Sequence, residues 1–401
     1  KTLVAIAALA AFGAQAQSSV TIDGYFDRAF TSVNNTNDNK DAKSVGSNAG
    51  TTTVGIKVRE DLGGGTSVGG SINTDWNDLG GNAQSNTAGT AQRGGFANSQ
   101  NFLDVTSATL GTVRFGTPNS FTLTNATAVA QPAYSTAIGS AYSSNFSIAN
   151  GLGTATTDKG GIVDVSANIK NAAGTYVNGA TAGQRAIRIA NTLQYSSPVV
   201  LGGLTAHLGY TPKNDNDTVG SSSAYTNTAG VKEYALRYTN GPVDAMFTSI
   251  KYSIGANTFN YGGATSLTAN STQTVTSLTN ASGITSTQNL LGATYTVLPA
   301  LKLHAGLGKF SSSNDASKGK SSQFGATYTT GAWVLSAQMA KVDDQSTNNY
   351  DRKMTGAGVD YNLSKTARVY FRYDSINYAS NQASFLGSEQ KRTAIGVSKA
   401  F

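Results

Sequence analysis

Polar breaks of two lengths alternate along this sequence. "DLGGG" (61–65) is short, but the polar stretch after the next strand-like segment runs to about Arg93. The turn near Ala108–Gly111 is short, and the break that follows, about 117–184, is the longest in the chain. Further short breaks fall at 196–203, 238–243, 297–301, 328–333 and 361–369. Long polar stretches include "NNTNDNKDAKS" (34–44), "PKNDNDTVGSSS" (212–223), "SSSNDASKGKSS" (311–322) and "DDQSTNNYD" (343–351). Between breaks, apolar and polar residues alternate with period two, the mark of strands whose faces meet different surroundings. In "TVGIKVRED", Val54, Ile56 and Val58 share one face while Gly55, Lys57 and Arg59 share the other. A two-sheet sandwich has no reason to put every long connection at one end. A closed antiparallel barrel standing in a membrane does, with short turns on one side and long loops on the other. Seven short turns and eight long loops give sixteen strands.

Other features fit the same architecture. Pro198, Pro242 and Pro299 sit in short turns, and Pro118, Pro132 and Pro212 in long loops, so none interrupts a strand ladder. Charged residues make up 13% of the chain, against about 25% in soluble domains. With no cysteine, a disulfide framework or thiolate metal site is excluded. Residues 1–16, "KTLVAIAALAAFGAQA", have the basic start, apolar run and small-x-small end of a secretory signal, which leaves 17–401 as the barrel. Beyond it no apolar run is long enough for a membrane helix.

The chain closes on "TAIGVSKAF", with Ile395, Val397 and Phe401 on one face and Arg392, Ala394, Gly396 and Ser398 on the other. A free terminus is usually polar and frayed. In a closed barrel the last strand pairs with the first, and Phe401 falls in an interfacial aromatic girdle.

"QSSVTIDGYFDRAF", "VREDLGGG", "LGTVRFG", "RIANTLQYSSP", "LGGLTAHLGY" and the terminal Phe401, in this order along residues 17–401, resemble the trimeric Gram-negative porins of the β-proteobacterial type. The resemblance implies a sixteen-stranded transmembrane β-barrel with short periplasmic turns and long outer loops. Its third loop, here about 117–184, would fold into the lumen. It also implies a homotrimer in outer-membrane lipid, passing small hydrophilic solutes and ions, with Phe401 as an insertion signal. Arginines frequent in that family near three positions are not found here, where Thr53, Gln100 or Asn101, and Thr117 stand.

A pore needs a polar wall, a constriction and an electrostatic bias rather than a catalytic group. Alternation places Lys57, Arg59, Arg114, Arg188, Arg237, Lys302, Arg368, Arg372 and Arg392 on the inward face, against three inward acids, Asp75, Glu233 and Asp374. Fixed charges act over a Debye length of about 8 Å at physiological salt, so a narrow lumen with this wall would mildly prefer anions. Asp158 and Asp164 of the third loop would face the basic wall and set a transverse field. His207 and His304 read as wall residues, so no metal or cofactor is expected. The scattered cations do not form a nucleic-acid surface. Three rival readings are a substrate-selective barrel of the same fold, a non-conducting surface or adhesin barrel, and a secreted all-β enzyme. The one-sided loop lengths and Phe401 oppose the enzyme, and conductance separates the surface barrel.

Overall fold

The structure, a computed structural model, describes residues 18–35, 40–75, 99–131, 137–141, 191–212, 229–254, 264–268, 271–274, 284–312, 318–345, 351–379 and 388–401. Its strands are β1 (Ser18–Asn35), β2 (Lys40–Gly46), β3 (Thr53–Gly63), β4 (Thr66–Asp75), β5 (Asn101–Ser107), β6 (Gly111–Thr117), β7 (Thr192–Ser196), β8 (Leu204–Thr211), β9 (Ala229–Asn240) and β10 (Val243–Ile254). They continue with β11 (Ala264–Thr268), β12 (Ser271–Thr274), β13 (Ile284–Leu298), β14 (Leu301–Ser312), β15 (Lys318–Thr330), β16 (Trp333–Asp344), β17 (Arg352–Asn362), β18 (Ala367–Tyr378) and β19 (Glu389–Ala400). Strands β11 and β12 form a separate hairpin, and the other seventeen make one sheet. Because β2 and β3 lie end to end along the same edge of β1, they make a single stave, so the closed antiparallel barrel has sixteen.

Closure is made by β1 against β19, in register from Tyr25↔Ala400 to Asn35↔Gln390. Phe401 extends it: its N–H donates to the Gly24 carbonyl, and the Gly24 N–H donates back, each at 3.1 Å. The Phe401 ring stacks on Phe26, with centroids 5.4 Å apart. The terminal phenylalanine therefore occupies a ladder position, leaving no free edge there.

The seven short turns fall where the sequence places them. Two of them, at 241–242 and 331–332, begin on Gly241 and Gly331 at φ 56° and 58°. A two-residue hairpin turn needs that positive φ to match the strand twist, and glycine adopts it without strain. The polar loops are shorter than composition suggested. Residues 40–46, read as loop, are the strand β2, and β14, β15 and β16 reach Ser312, Lys318 and Asp344 inside stretches also read as loop. Polar composition marks contact with water, which a hairpin rising beyond the membrane also has.

The wall is apolar outside and polar inside. Ile22, Phe115, Leu208, Phe247, Phe324 and Phe371 are large exposed residues facing outward, while Thr248, Gln288, Gln323 and Asp374 are buried inward. This reversal of a soluble core is what a lipid solvent with a wet interior requires. Among the described residues no helix is long and apolar enough to cross a membrane, so the strands do the crossing.

Candidate functional site

The first part of the third loop lies inside the barrel, where the wall holds it mainly through the loop's own backbone. After β6 the chain makes a short helix α1 (Phe121–Thr124), whose N-cap Ser120 accepts from the Leu123 N–H, and then a π-helical turn, Asn125–Val129. Glu233 of β9 receives the Phe121 and Thr122 N–H groups at 3.1 and 2.7 Å and the Thr122 hydroxyl at 2.7 Å. Asn125 Nδ2 donates to the carbonyls of Met246 and Leu290, both at 2.9 Å, tying β10 to β13 beneath the loop. The Ala130 carbonyl accepts from Gln323 Nε2 at 2.8 Å and lies 3.1 Å from His304 Nδ1. Farther on, the Gly139 N–H donates to Asp374 at 2.7 Å and the Ile138 N–H to Asn48. The track runs from β9 to β18, roughly half the circumference.

Packing reinforces these bonds. Inward positions that would otherwise be wet carry Leu290, Phe310, Val342, Met354 and Ile376, which cluster with Leu123, Ala126 and Ala141 of the loop. Fully burying a Leu or Ile side chain is worth about 1.5–3 kcal/mol. Gly356 lets the loop approach closely, because a Cβ there would lie 2.7 Å from the Gly139 Cα.

A second inward segment meets the loop. Between β2 and β3, residues 47–52 leave the wall, and their gap is filled from inside. Asp27 accepts from the Asn48 and Ala49 N–H groups and from the Tyr370 hydroxyl. Arg28, on the outward side, donates to the Thr52 hydroxyl at 2.7 Å. This break gave no signal in the alternation, because nothing in "SNAGTT" separates a turn from an inward fold.

The charged side chains form separate clusters on the wall. On the arc the loop track leaves bare, Lys57 pairs with Asp23, and Arg59 and Arg114 share Asp104 at 3.2 and 3.4 Å. Arg114 also lies 4.0 Å over the Phe102 ring. Asp104 is 6% exposed while Arg59 is 50% and Arg114 32%, so the cations, not the acid, meet the lumen. Together they line a recess of about 440 Å³ with Ser71, Asn73 and Gln100. On the adjoining strands β17 to β19, Arg368 and Arg372 share Asp360, and Arg392 holds Asp374 through two bonds at 2.8 and 2.6 Å. Arg237 makes the same two-pronged contact with Asp244, at 2.9 and 2.7 Å. Lys302 is exposed on an inward position, with no carboxylate in salt-bridge reach among the described residues.

The balance of nine cations to three acids is therefore corrected. Asp23, Asp27, Asp104, Asp244 and Asp360 also face inward. Their signal was present: Asp104 stands between Leu103 and Val105, and Asp360 between Val359 and Tyr361. Of the nine cations, Arg188 lies outside the described residues, as do the loop acids Asp158 and Asp164 and the signal segment 1–16. His207 lies 2.8 Å from the Ser196 hydroxyl, and the described residues contain no cluster of three or more groups suited to a metal.

Comparison with known proteins agrees with this architecture. Residues 2–381 match the family described as Gram-negative porin. An anion-selective porin from Comamonas acidovorans superposes with TM-score 0.67 at 20% identity, covering 96% of this chain and 100% of that one. OmpF of Salmonella typhi, in complex with daunomycin, gives 0.60 at 14%, covering 95% and 97%. The trimer form of OmpT, an outer-membrane protein of Vibrio cholerae, gives 0.56 at 11%, covering 96% and 99%. No curated protein matches the sequence. With a family match over nearly its whole length and a sixteen-stave barrel narrowed from within, the chain belongs to the Gram-negative porins, outer-membrane channels for passive diffusion.

Proposed function

We propose that the channel mildly prefers anions and works as a homotrimer, passing small hydrophilic solutes and inorganic ions without converting them. The observation that carries the preference is a motif that occurs twice: two arginines on one largely buried aspartate, Arg59 and Arg114 on Asp104, and Arg368 and Arg372 on Asp360. Each group keeps one positive charge after internal pairing. Lys302 adds a third, while the Arg237–Asp244, Arg392–Asp374 and Lys57–Asp23 pairs are neutral. Of the remaining inward acids, Asp27, Asp75 and Glu233, two (Asp27 and Glu233) are buried away from the lumen beneath backbone N–H donors. Arg59 and Lys57 are the groups through which the bare arc meets the solute, since both stay about half exposed. Asp158 and Asp164, and Arg188, would modify this field from the remainder of the third loop and the approach to β7. The similar fold of a protein described as an anion-selective porin supports the preference, and that of a trimeric outer-membrane protein supports the assembly. Residues 1–16 act as an export signal, and Phe401 acts as the insertion signal as well as a ladder residue.

Single-channel current in a planar bilayer under a salt gradient tests this reading. Conductance steps with a reversal potential on the chloride side are expected. Steps on the potassium side would refute the anion preference. Silence from a correctly folded barrel would refute an open channel.

A further inference from the structure

Outside the barrel, cations gather at one height and on one arc. Lys232 faces Lys251 directly across β9 and β10, Lys309 faces Lys320 across β14 and β15, and Lys341 faces Lys353 across β16 and β17. All six are exposed and project outward, eight to ten residues from the short-turn ends of their strands. Nearer those turns on the same face are Tyr234, Leu307, Phe324 and Met339, all exposed apolar or aromatic residues. The lysines thus stand at the outer border of the apolar band, where headgroups begin.

Like charges directly opposite on adjacent strands oppose folding, and here the arrangement occurs three times. One acid relieves part of it, since the register sets Asp343 directly opposite Lys320. Asp343 lies 3.9 Å from Lys341, and among the described residues no carboxylate is in salt-bridge reach of Lys232, Lys251, Lys309, Lys320 or Lys353. General solubility does not explain the row either. The outward faces of β3 to β8 carry no lysine or arginine among the described residues. The short-turn border instead carries exposed aromatics such as Tyr295, Tyr328, Trp333 and Tyr361. The two membrane borders therefore differ in chemistry, with cations concentrated on the outer one.

We propose that this lysine arc is a binding surface for phosphate-bearing anionic lipid headgroups of the outer leaflet. Lys309, Lys320, Lys341 and Lys353 lie on four consecutive strands. At about 4.8 Å per strand they span roughly 14 Å, wide enough to hold more than one phosphate. Ammonium groups on flexible stems suit this role: they reach up from apolar surface and meet phosphate as point charges. The arc orients the barrel and offsets its own repulsion only when the anionic lipid is present.

The test uses the refolded barrel in neutral maltoside micelles doped with phosphatidylglycerol or phosphatidylcholine, or supplied with inorganic phosphate at equal concentration. The readout is the temperature at which unboiled gel mobility converts to the boiled form. Phosphatidylglycerol is expected to raise that midpoint for the unaltered protein, with neither phosphatidylcholine nor free phosphate matching it. The variant Lys309→Gln, Lys320→Gln, Lys341→Gln, Lys353→Gln should lose most of this gain while equalling or exceeding the unaltered protein in phosphatidylcholine, since its like-charge pairs are gone. No gain in the unaltered protein, an equal gain from phosphatidylcholine or free phosphate, or a full gain in the variant would overturn the proposal. Should the fourfold variant give no folded band, Lys341→Gln with Lys353→Gln is read the same way. It is expected to lose about half the gain, and retention of all of it would overturn the proposal.

Discussion

Neutralising Asp104 isolates the charge that the bare arc presents to a passing ion. In Asp104→Asn the side chain keeps its size and its place beneath Arg59 and Arg114, but the pair loses its shared counter-charge. The net charge of the cluster rises by one, so the sign favours anions. For an ion passing about 6 Å away through water, one unit charge contributes roughly 0.7 kcal/mol, which screening at 0.15 M reduces to about 0.3 kcal/mol. That makes anion entry roughly 1.6 times easier and cation entry harder by the same factor. The chloride-to-potassium permeability ratio should therefore rise about two- to threefold. At 1 M salt, where the Debye length is about 3 Å, the rise should shrink to well under twofold. Reversal potentials under a salt gradient, at low and high mean salt, measure both. A ratio that is unchanged at low salt would show that ions do not pass near this arc. A fall would show that freed arginines find another acid and that the charge accounting used here fails.

Three other substitutions probe the support of the lumen. Gly356→Val places atoms where Gly139 sits, so the loop should leave the wall near β17, and single-channel conductance should increase; an unchanged conductance would show that the loop does not narrow the pore there. Glu233→Gln removes the charged acceptor of the Phe121 and Thr122 N–H groups, weakening the anchor by about 2 kcal/mol; faster proteolysis within the third loop is expected, with the barrel band intact on an unboiled gel. Phe401→Ala loses the stack on Phe26, worth about 1 kcal/mol beyond its area; the heat conversion of unboiled protein should move to lower temperature, and a midpoint equal to the parent's would show that closure does not depend on the ring.

The turns were legible because their residues act locally. Gly241, Pro242 and Gly331 restrict or free the backbone wherever they occur, so they mark a hairpin without knowledge of its neighbours. The alternation was legible for a related reason: Val54 and Ile56 against Lys57 and Arg59 describes two environments along one strand. Asp104 was missed as a partner of Arg59 because that pairing depends on the register of β3, β4 and β5 together. Nothing in the neighbourhood of either residue encodes it. The loop track was hidden for another reason. Ser120, Thr122 and Asn125 look like ordinary polar loop residues until the wall beneath them supplies Glu233 and the carbonyls of β10 and β13. Strand β2 was misread because its polar side chains describe the solvent they meet, while its pairing with β1 is made by backbone.

The third loop is tethered through main-chain atoms: the N–H groups of Phe121, Thr122, Ile138 and Gly139, and the carbonyls of Val129 and Ala130. Main-chain atoms are the same in nearly every residue. The exposed Ala128 and the half-buried Thr124 and Thr127 of the same segment can therefore change in charge while the donors and acceptors beside them stay in place. Mounting and filtering are thus carried by different atoms of one segment. Selection, or an engineer, can rewrite what the channel admits along this segment without having to reinvent how the gate is hung.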